Sequence, residues 1–346
     1  MGQPESTDSS SPRLTVIVPI RNEARFVESC LKSILDDAPE GGLEVLVVDG
    51  MSDDGSDRLV EQMAAEDARV QLLRNPARYV PQSMNVGLEA ARGEYIGRID
   101  GHCAVVPGYF QGCLDLLASG EYDCVGGRLR NEGRTPSGRA IAAATSSPVG
   151  VGSARFRTGA GGESLVDTLA FGVYRRDVFT RIGNFDEAFV RNQDDELNLR
   201  LIGAGGRILL APALVVRYFV RDSLRHLARQ YYQYGYWKWA VFRKHRRIGS
   251  LRQLAPALLV TLLALAVFAA PLAVWGRWLA LLVIVPYALV VLGEALRQGR
   301  RHGAAVWRIA AAIVLLHLGY GAGLLVALGR HLMGRGEASA PTALSR

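Results

Sequence analysis

The chain has 346 residues, a formal net charge of +7 and 49% hydrophobic residues. This length allows one catalytic domain of common size and a further segment. The basic residues concentrate over 217–252 and 297–303, beside long apolar runs, so they favour anionic lipid headgroups over nucleic acid as partners. Residues 1–12 are Ser-rich without an apolar core, which predicts a disordered leader that is neither a secretory signal nor an anchor.

Strand and helix patterns alternate through the first hundred residues. Apolar, β-branched runs predict strands at 14–20, 43–48, 70–73 and 94–99, and helical spacing predicts helices at 26–35, after Ser56 and at 82–92. The short links between them predict an α/β fold with a mainly parallel sheet covered on both faces. Ligands of such sheets collect at the carboxyl ends of the strands.

Acidic side chains follow these strand ends. Glu23 and Asp49 come just past the first two strands, and Asp53 lies in the loop after the second. Asp49 is placed to accept a hydrogen bond from a base imide N–H, and Glu23 or Asp100 from ribose hydroxyls. Helix capping is the alternative for Asp53 and the preferred explanation for Ser56. No G-x-G-x-x-G or P-loop motif is present, which argues against a dinucleotide oxidoreductase and a P-loop enzyme.

The run from Arg98 to His102 ends the fourth predicted strand. Side chains two apart on an extended exit point the same way, so Asp100 and His102 are predicted to grip one divalent cation. A turn carboxylate beside a solvated histidine is the alternative. Cys103 follows His102; a packing role for its thiol is favoured over metal ligation, and the absence of CxxC spacing favours reduced cysteines.

The second half adds a further acidic cluster. Residues 167–174 predict a strand with a small-residue interruption, and 176–182 predict a helix that ends at Gly183. Asp194, Asp195 and Glu196 then open a helix. Simple capping and dipole compensation explain them as well as catalysis does, in which one carboxylate is a general base for an attacking hydroxyl.

The C-terminal part is apolar. From Leu254 no charge occurs until Arg277, about the length that crosses a bilayer core. The run 278–292 is shorter and contains Pro286, and a third run covers 304–328. We predict about three transmembrane helices, with a re-entrant or interfacial hairpin as the alternative for the second. The flanking positive residues place the N-terminal domain in the cytoplasm and the protein in the inner membrane.

Five motifs occur in a fixed order along the chain, at 16–23, 47–56, 100–102, 183–187 and 193–200. In this order they resemble family 2 glycosyltransferases of the GT-A fold. Details within 75–96, and Asp-x-His in place of Asp-x-Asp, resemble the succinoglycan-type membrane glucosyltransferases. The resemblance implies a domain order of leader 1–12, GT-A domain 13–220, amphipathic basic and aromatic membrane-interface segment 221–252, transmembrane region 253–330 and tail 331–346.

The resemblance also implies an activity, which is inverting transfer of one sugar from UDP-glucose to a polyprenyl-diphosphate-linked saccharide in exopolysaccharide or cell-surface glycan biosynthesis. Asp194 matches the family's base, and Asp100 and His102 would hold Mg²⁺ or Mn²⁺ at the diphosphate. The implied donor-binding residues are Pro19, Asn22, Glu23, Asp49, Asp53 and Asp100. The implied residues on the acceptor and lipid side are Gly172, Asp195, Trp237 and Lys238. Glycan-assembly proteins are the further partners implied.

Two departures from the family qualify this assignment. His102 in place of a second aspartate lowers the negative charge of the cation site and favours Mn²⁺. The Gln-x-x-Arg-Trp motif of processive synthases is missing, and 229–239 predicts instead an amphipathic aromatic helix at the membrane surface. Both this helix and the small number of spans favour addition of one sugar per acceptor.

Three alternatives remain at this stage. The first is a polyprenyl-monophosphate glycosyltransferase, which differs in its acceptor. The second is a nucleotidyltransferase, although the Gly-rich loop with Lys or Arg is missing after the first strand. The third is an inactive membrane scaffold, against which the joint presence of Asp49, Asp100, His102 and Asp194 argues.

Overall fold

The computed structural model describes residues 11–152, 154–246, 251–272 and 274–334. Most of the predicted leader and tail therefore lies outside the described residues. The chain forms two compact units. The first comprises Met1–Arg128, Gly162–Ala188 and Gln193–Arg217, and the second Leu129–Gly161, Phe189–Asn192 and Tyr218–Arg346.

A nine-stranded sheet is the main feature of the first unit. Its strands are β1 (Leu14–Ile20), β2 (Leu43–Asp49), β3 (Val70–Arg74), β4 (Tyr95–Arg98), β5 (Cys103–Val105), β6 (Cys124–Glu132), β7 (Ser164–Leu165), β8 (Val173–Arg175) and β9 (Ile208–Phe219). The spatial order is β3-β2-β1-β4-β8-β6-β9-β5, with β7 on β9. The strands β3, β2, β1 and β4 are parallel neighbours, whereas β8 runs antiparallel to β4 and β6. The four predicted N-terminal strands are thus confirmed.

Parallel register brings the carboxyl ends of these strands to one edge. Ile20 is the register partner of Asp49, and Asp49 that of Arg74. On the other side of β1 lies β4, which ends at Arg98, the register partner of Ile17. Every residue of β1 and β2 is buried, as their continuous apolar runs predict for strands covered on both faces.

The described residues of the first unit form six helices. They are α1 (Val27–Asp36), α2 (Ser56–Glu66), α3 (Val80–Ala90), α4 (Tyr109–Ala118), α8 (Asp177–Ile182) and α9 (Gln193–Gly203). The buried residues of α1 repeat at three- and four-residue intervals and face the sheet core. Leu197 and Leu201 of α9 are fully buried one turn apart, so they share the helix face that packs into the core.

The predicted strand over 167–174 is wrong in extent. Only Val173–Arg175 form a strand, and the preceding residues are irregular. A Cβ atom on Gly172 would collide with the Cys124 sulfur and crowd the Tyr174 ring. Glycine allows this close backbone approach just before β8, and the strand begins only after it.

The helices of the second unit are α5 (Pro136–Thr145), α6 (Pro148–Val151), α7 (Arg155–Thr158), α10 (Leu224–His245), a 3₁₀ turn (Leu251–Leu254), α11 (Ala255–Ala269), α12 (Val274–His302) and α13 (Val306–Leu332). Within the part of this unit that the structure describes, three helical segments are long and apolar enough to cross a membrane, namely Arg252–Ala269, Val274–His302 and Val306–Leu332. The predicted number of three agrees with this. The α12 helix passes through Pro286 without a break over 29 residues, so the second apolar run is no hairpin.

The helix α5 packs among the apolar helices of this unit. Its residues Ala140 and Ile141 share a buried cluster with Ala295 of α12 and Ile313 of α13. A polar link accompanies this packing, since the Nε2 atom of His317 lies 2.7 Å from the Val149 carbonyl oxygen. The sequence around α5 therefore belongs structurally with the membrane-type helices of the second unit.

Glycines set the contact between α10 and α13. A Cβ atom on Gly235 of α10 would collide with the Tyr320 carbonyl oxygen of α13, and one on Gly323 of α13 would collide with the Tyr232 carbonyl oxygen of α10. Gly319 lies one turn before Gly323 and approaches the Ala228 carbonyl oxygen. This small-residue pattern is the one that lets helix backbones approach closely in membranes.

We expect Gly235→Ala to lower the apparent melting temperature of the purified protein in detergent. The added methyl group meets backbone atoms that cannot rotate away, and overpacking of this kind costs about 1–3 kcal/mol. Gly329→Ala is the matched control, because nothing lies within 4 Å of its Cβ position on α13. Unchanged or raised stability is expected there, and equal melting temperatures for both variants would contradict the packing argument.

Candidate active site

Asp100 and His102 lie in a tight turn between β4 and β5. The Cys103 amide donates to the Asp100 carbonyl oxygen at 2.9 Å, which closes the turn. The prediction that Asp100 and His102 lie on an extended segment is therefore wrong. A Cβ atom on Gly101 would lie 2.7 Å from Ile20 Cγ2, so glycine lets this turn pack against the end of β1.

Glu23 is the side chain that orients His102. Its Oε1 atom lies 2.9 Å from His102 Nδ1, and both residues are buried. A carboxylate on one imidazole nitrogen fixes the ring and makes the other nitrogen the one that meets a metal ion. Among the described residues, no three His, Cys, Asp or Glu side chains form a cluster that holds an ion alone.

Arg98 is the second charged group at this turn. Its Nε and Nη2 atoms lie 3.0 and 2.9 Å from one oxygen of Asp100, Oδ1. Burial works against the charge of the guanidinium, but the carboxylates of Asp100 and Asp194 outweigh it and raise the pKa of Arg98. One buried cation therefore acts on both the predicted cation ligand and the predicted base.

Asp194 lies in the first turn of α9. Burial and the neighbouring Asp195 carboxylate raise the pKa of Asp194, while Arg98 acts in the opposite direction. The Asp195 amide donates to Asp194 Oδ1 at 3.0 Å, and the Asp195 carboxylate accepts from the Thr168 hydroxyl at 2.7 Å. The two carboxylates thus have different environments, and Asp194 is the one suited to take a proton.

The turns after β1 and β2 hold each other. Asn22 has a left-handed backbone (φ 56°), and its side-chain amide donates to Asp53 Oδ1 at 2.9 Å. The Asp53 amide donates back to Asn22 Oδ1 at 3.0 Å. The Glu23 amide donates to the Ser56 hydroxyl at 2.8 Å, so Ser56 supports this turn. These bonds hold the two segments that contain most of the predicted donor-side residues, 19–23 and 49–56, at the same sheet edge. The expectation that Ser56 is a helix cap is wrong, because Ser56 is the first residue of α2 and Gly55 is the N-cap.

Asp49 is fully buried at the end of β2. Its Oδ2 atom accepts from Arg74 Nη1 at 2.9 Å, and its Oδ1 atom accepts from the Ser52 hydroxyl at 2.5 Å. Asp49 and Arg74 are register neighbours, which explains the pair. Pro19 is buried in β1 opposite Val48, one position before this edge.

The loop before α9 is fixed by Arg200 and Asn85. Arg200 pairs with Glu196 at 2.9 Å and donates to the carbonyl oxygens of Ile182 and Asn184. Asn85 of α3 exchanges hydrogen bonds of 3.0 Å with the backbone of Phe185. These contacts account physically for the motifs at 183–187 and 193–200, because they hold the two segments together.

The predicted acceptor-side residues are divided between the units. Gly172 is buried before β8, and its carbonyl oxygen accepts from the Arg98 amide at 3.3 Å. Trp237 and Lys238 lie on α10 in the second unit, where both are buried. The Trp237 ring packs 6.3 Å from that of Phe189.

Sequence reasoning gave no role to Arg98, Arg74 or Arg200. For Arg98 a signal was present, since an arginine inside an apolar strand is rarely buried without a partner. For Arg74 the signal was its place at a strand end next to Asp49, which only the register makes visible. The hydrogen bonds from Arg200 to backbone carbonyl oxygens depend on the tertiary fold and have no local sequence signal.

The chain is similar to several known proteins. A family model described as glycosyl transferase family 2 matches residues 15–183. The chain is 31% identical over 330 residues to the succinoglycan biosynthesis protein ExoA of Rhizobium meliloti (strain 1021), covering 93% of this chain and 96% of that protein. It is 23% identical over 240 residues, 67% of this chain and 74% of the relative, to a dolichyl N-acetyl-alpha-D-glucosaminyl phosphate 3-beta-D-2,3-diacetamido-2,3-dideoxy-beta-D-glucuronosyltransferase of Methanococcus voltae.

A solved structure shares the fold. The mannosyltransferase PcManGT from Pyrobaculum calidifontis, in complex with GDP-Man and Mn²⁺, superimposes with a TM-score of 0.63 at 21% identity. The match covers 95% of this chain and 90% of that chain. The expected GT-A architecture is therefore confirmed.

Proposed function

Because the chain belongs to glycosyl transferase family 2 and is a glycosyltransferase of glycan biosynthesis, we propose that it moves one glucose from UDP-glucose to a polyprenyl-diphosphate-linked saccharide, with inversion. The observation that carries the proposed mechanism is the position of Arg98. Its charge acts on both Asp100 and Asp194, which supports a single site that contains the proposed cation ligand and the proposed base. A single displacement needs only these two functions, at the leaving diphosphate and at the attacking hydroxyl.

Asp100 and His102 would hold a divalent cation, Mg²⁺ or Mn²⁺. The donor set of one carboxylate and one imidazole suits Mn²⁺, and Mn²⁺ accompanies the sugar nucleotide in the mannosyltransferase structure. Glu23 would orient the imidazole through Nδ1, and Arg98 would hold Asp100 through Oδ1. When bound, the cation would offset the negative charge that grows on the leaving diphosphate. The other ligands would come from the diphosphate.

Asp194 would be the general base. An acceptor hydroxyl would give its proton to the Asp194 carboxylate while its oxygen forms the bond to the anomeric carbon. The bond from that carbon to the diphosphate oxygen breaks with its electron pair. A raised pKa makes Asp194 a better proton acceptor than an ordinary aspartate in its ionised form.

The donor base would lie between Pro19 and Asp49. With Arg74 beside it, the Asp49 carboxylate offers only hydrogen-bond acceptors, which suits the imide N–H of uracil. Asn22, Glu23 and Asp53 would line the ribose and diphosphate side. The N1–H of guanine offers the same donor, so the assay below includes GDP-sugars.

The acceptor would be a membrane lipid. Among the described residues, three helices are long and apolar enough to span a bilayer. Positive residues precede the first span and lie between the second and the third, which would place the catalytic domain in the cytoplasm at the inner membrane. The name of the Methanococcus relative describes a lipid phosphate that already carries a sugar. Gly172 and Asp195 would face the acceptor sugar, and Trp237 and Lys238 on α10 would support the lipid side.

The test uses membranes that contain the protein, a polyprenyl-diphosphate-linked saccharide or bare polyprenyl phosphate, and labelled UDP- and GDP-sugars. Each donor is assayed with Mn²⁺, Mg²⁺ or EDTA, and membranes carrying Asp194→Asn are the control. We expect cation-dependent transfer of one glucose from UDP-glucose to the lipid-linked saccharide. Transfer to bare polyprenyl phosphate alone, or from a GDP-sugar alone, would contradict the proposed acceptor or donor.

Replacing Asp195 by Asn is expected to move the acidic limb of the pH–rate profile to lower pH. The Asp195 charge raises the pKa of Asp194, and a base works only when deprotonated, so its removal lets Asp194 act in more acidic solution. Asparagine keeps an oxygen for the Thr168 hydroxyl. The measurement is kcat/KM against pH, and a limb that stays in place or moves to higher pH would contradict the assignment.

A further inference from the structure

The Arg98 guanidinium has a hydrogen-bonding edge that Asp100 does not use. The side chain is 9% exposed, and its Nε and Nη2 atoms both contact Asp100 Oδ1. Its Nη1 atom is buried and has no hydrogen-bond partner among the described residues. A buried charged donor without an acceptor is costly in a folded protein, so such an atom points to a ligand that supplies the acceptor.

The position of Arg98 limits what that ligand is. In a single displacement the sugar lies between the leaving diphosphate and the attacking hydroxyl. Asp100 would mark the diphosphate side and Asp194 the hydroxyl side, and the charge of Arg98 acts on both. A donor group that contacts the first carboxylate and is near enough to interact with the second would lie beside the ring of the transferred sugar.

We propose that Arg98 Nη1 donates a hydrogen bond to a hydroxyl oxygen of the transferred hexose, which makes Arg98 a sugar-recognition residue. This inference rests on the proposed function. Asp100 fixes the orientation of the guanidinium, because a planar fork held at Nε and Nη2 leaves Nη1 no freedom to turn. The site would then reject donors that lack the hydroxyl in question, since their binding leaves Nη1 buried without an acceptor.

The test compares UDP-hexose with its 2-, 3-, 4- and 6-deoxy analogues on wild type, Arg98→Lys and Arg98→Gln. We expect wild type to lose tenfold or more in kcat/KM on one analogue. With UDP-hexose itself, kcat/KM of Arg98→Lys should be lower than that of wild type by at least the same factor. Its kcat/KM should fall little further on the deoxy analogue that wild type discriminates against. Arg69→Lys is the matched control, because Arg69 pairs with Asp67 at the surface, and it should keep the wild-type pattern.

A binding measurement separates this role from a purely structural one. Calorimetric titration should show that Arg98→Lys binds UDP with Mn²⁺ within about threefold of wild type, but loses the extra affinity that the sugar gives to UDP-hexose. A wild-type enzyme that treats every deoxy donor as the parent would overturn the proposal. An Arg98→Lys variant that distinguishes UDP-hexose from the deoxy analogues as strongly as wild type would also overturn it. Absence of transfer from any donor by wild type would instead count against the proposed function.

Discussion

Asp194→Asn is expected to lower kcat by about 10²–10⁴-fold, the range that general-base catalysis contributes. Asparagine has nearly the size of aspartate and can still accept from the Asp195 amide, so α9 should keep its position. Binding of UDP with Mn²⁺ should therefore change by less than about threefold. The measurement combines radiolabel transfer at saturating donor with calorimetric titration of the nucleotide.

The same variant should be more stable than wild type at neutral pH. The pKa of Asp194 is raised in the folded protein, mainly by burial, so its ionised form penalises the folded state. The penalty is absent below the unfolded-state pKa and grows as the pH rises through the folded-state pKa. The gain in melting temperature from Asp194→Asn should thus shrink between pH 7 and pH 4.

Asp57→Asn provides a control of opposite sign. Arg74 lowers the pKa of Asp57 through a hydrogen bond of 3.1 Å, so the ionised form of this aspartate favours the folded state. Its replacement should lower stability slightly at neutral pH. Near-normal transfer by Asp194→Asn would contradict the assignment of Asp194 as the base. A loss of stability in Asp194→Asn at pH 7 would contradict the inference that the folded protein disfavours the ionised Asp194 carboxylate.

The sheet edge could be predicted because β1, β2, β3 and β4 are recognisable in the sequence as short apolar runs, each followed by polar residues. Parallel pairing then brings Asp49 to the edge whatever the loops do. The turn at Asp100 was harder, since the run Arg98 to His102 is compatible with both an extended exit and a tight turn. Only the packing of Gly101 against Ile20 decides between them.

The Arg98 contacts were beyond sequence reasoning for a different reason. Its pairing with Asp100 is local, two residues apart, but its effect on Asp194 depends on bringing α9 beside β4 across nearly a hundred residues. The same holds for α5, whose alanine-rich sequence is compatible with any buried helix. Its place among α12 and α13 depends on tertiary packing.

Asp100→Asn should be as damaging to activity as Asp194→Asn but opposite in its effect on stability. The substitution removes a cation ligand and, with it, the charge that offsets Arg98, which leaves a buried guanidinium without its carboxylate partner. We expect a loss of about 10³-fold or more in transfer, because the cation supplies several kcal/mol at the leaving group. The melting temperature should fall, and addition of Mn²⁺ should no longer raise it.

His102→Asp separates cation binding from turn structure at the same site. The new carboxylate would lie beside Glu23, so repulsion should lower the melting temperature in EDTA, and a bound cation should relieve it. Two carboxylates suit Mg²⁺ better than one carboxylate and an imidazole, so the ratio of Mg²⁺- to Mn²⁺-supported transfer should rise at least severalfold. His102→Asn, which adds no charge, should lose activity with both ions and gain no such shift. An unchanged ion ratio in His102→Asp would mean that position 102 does not contact the cation, and Asp100 would then hold it without this side chain.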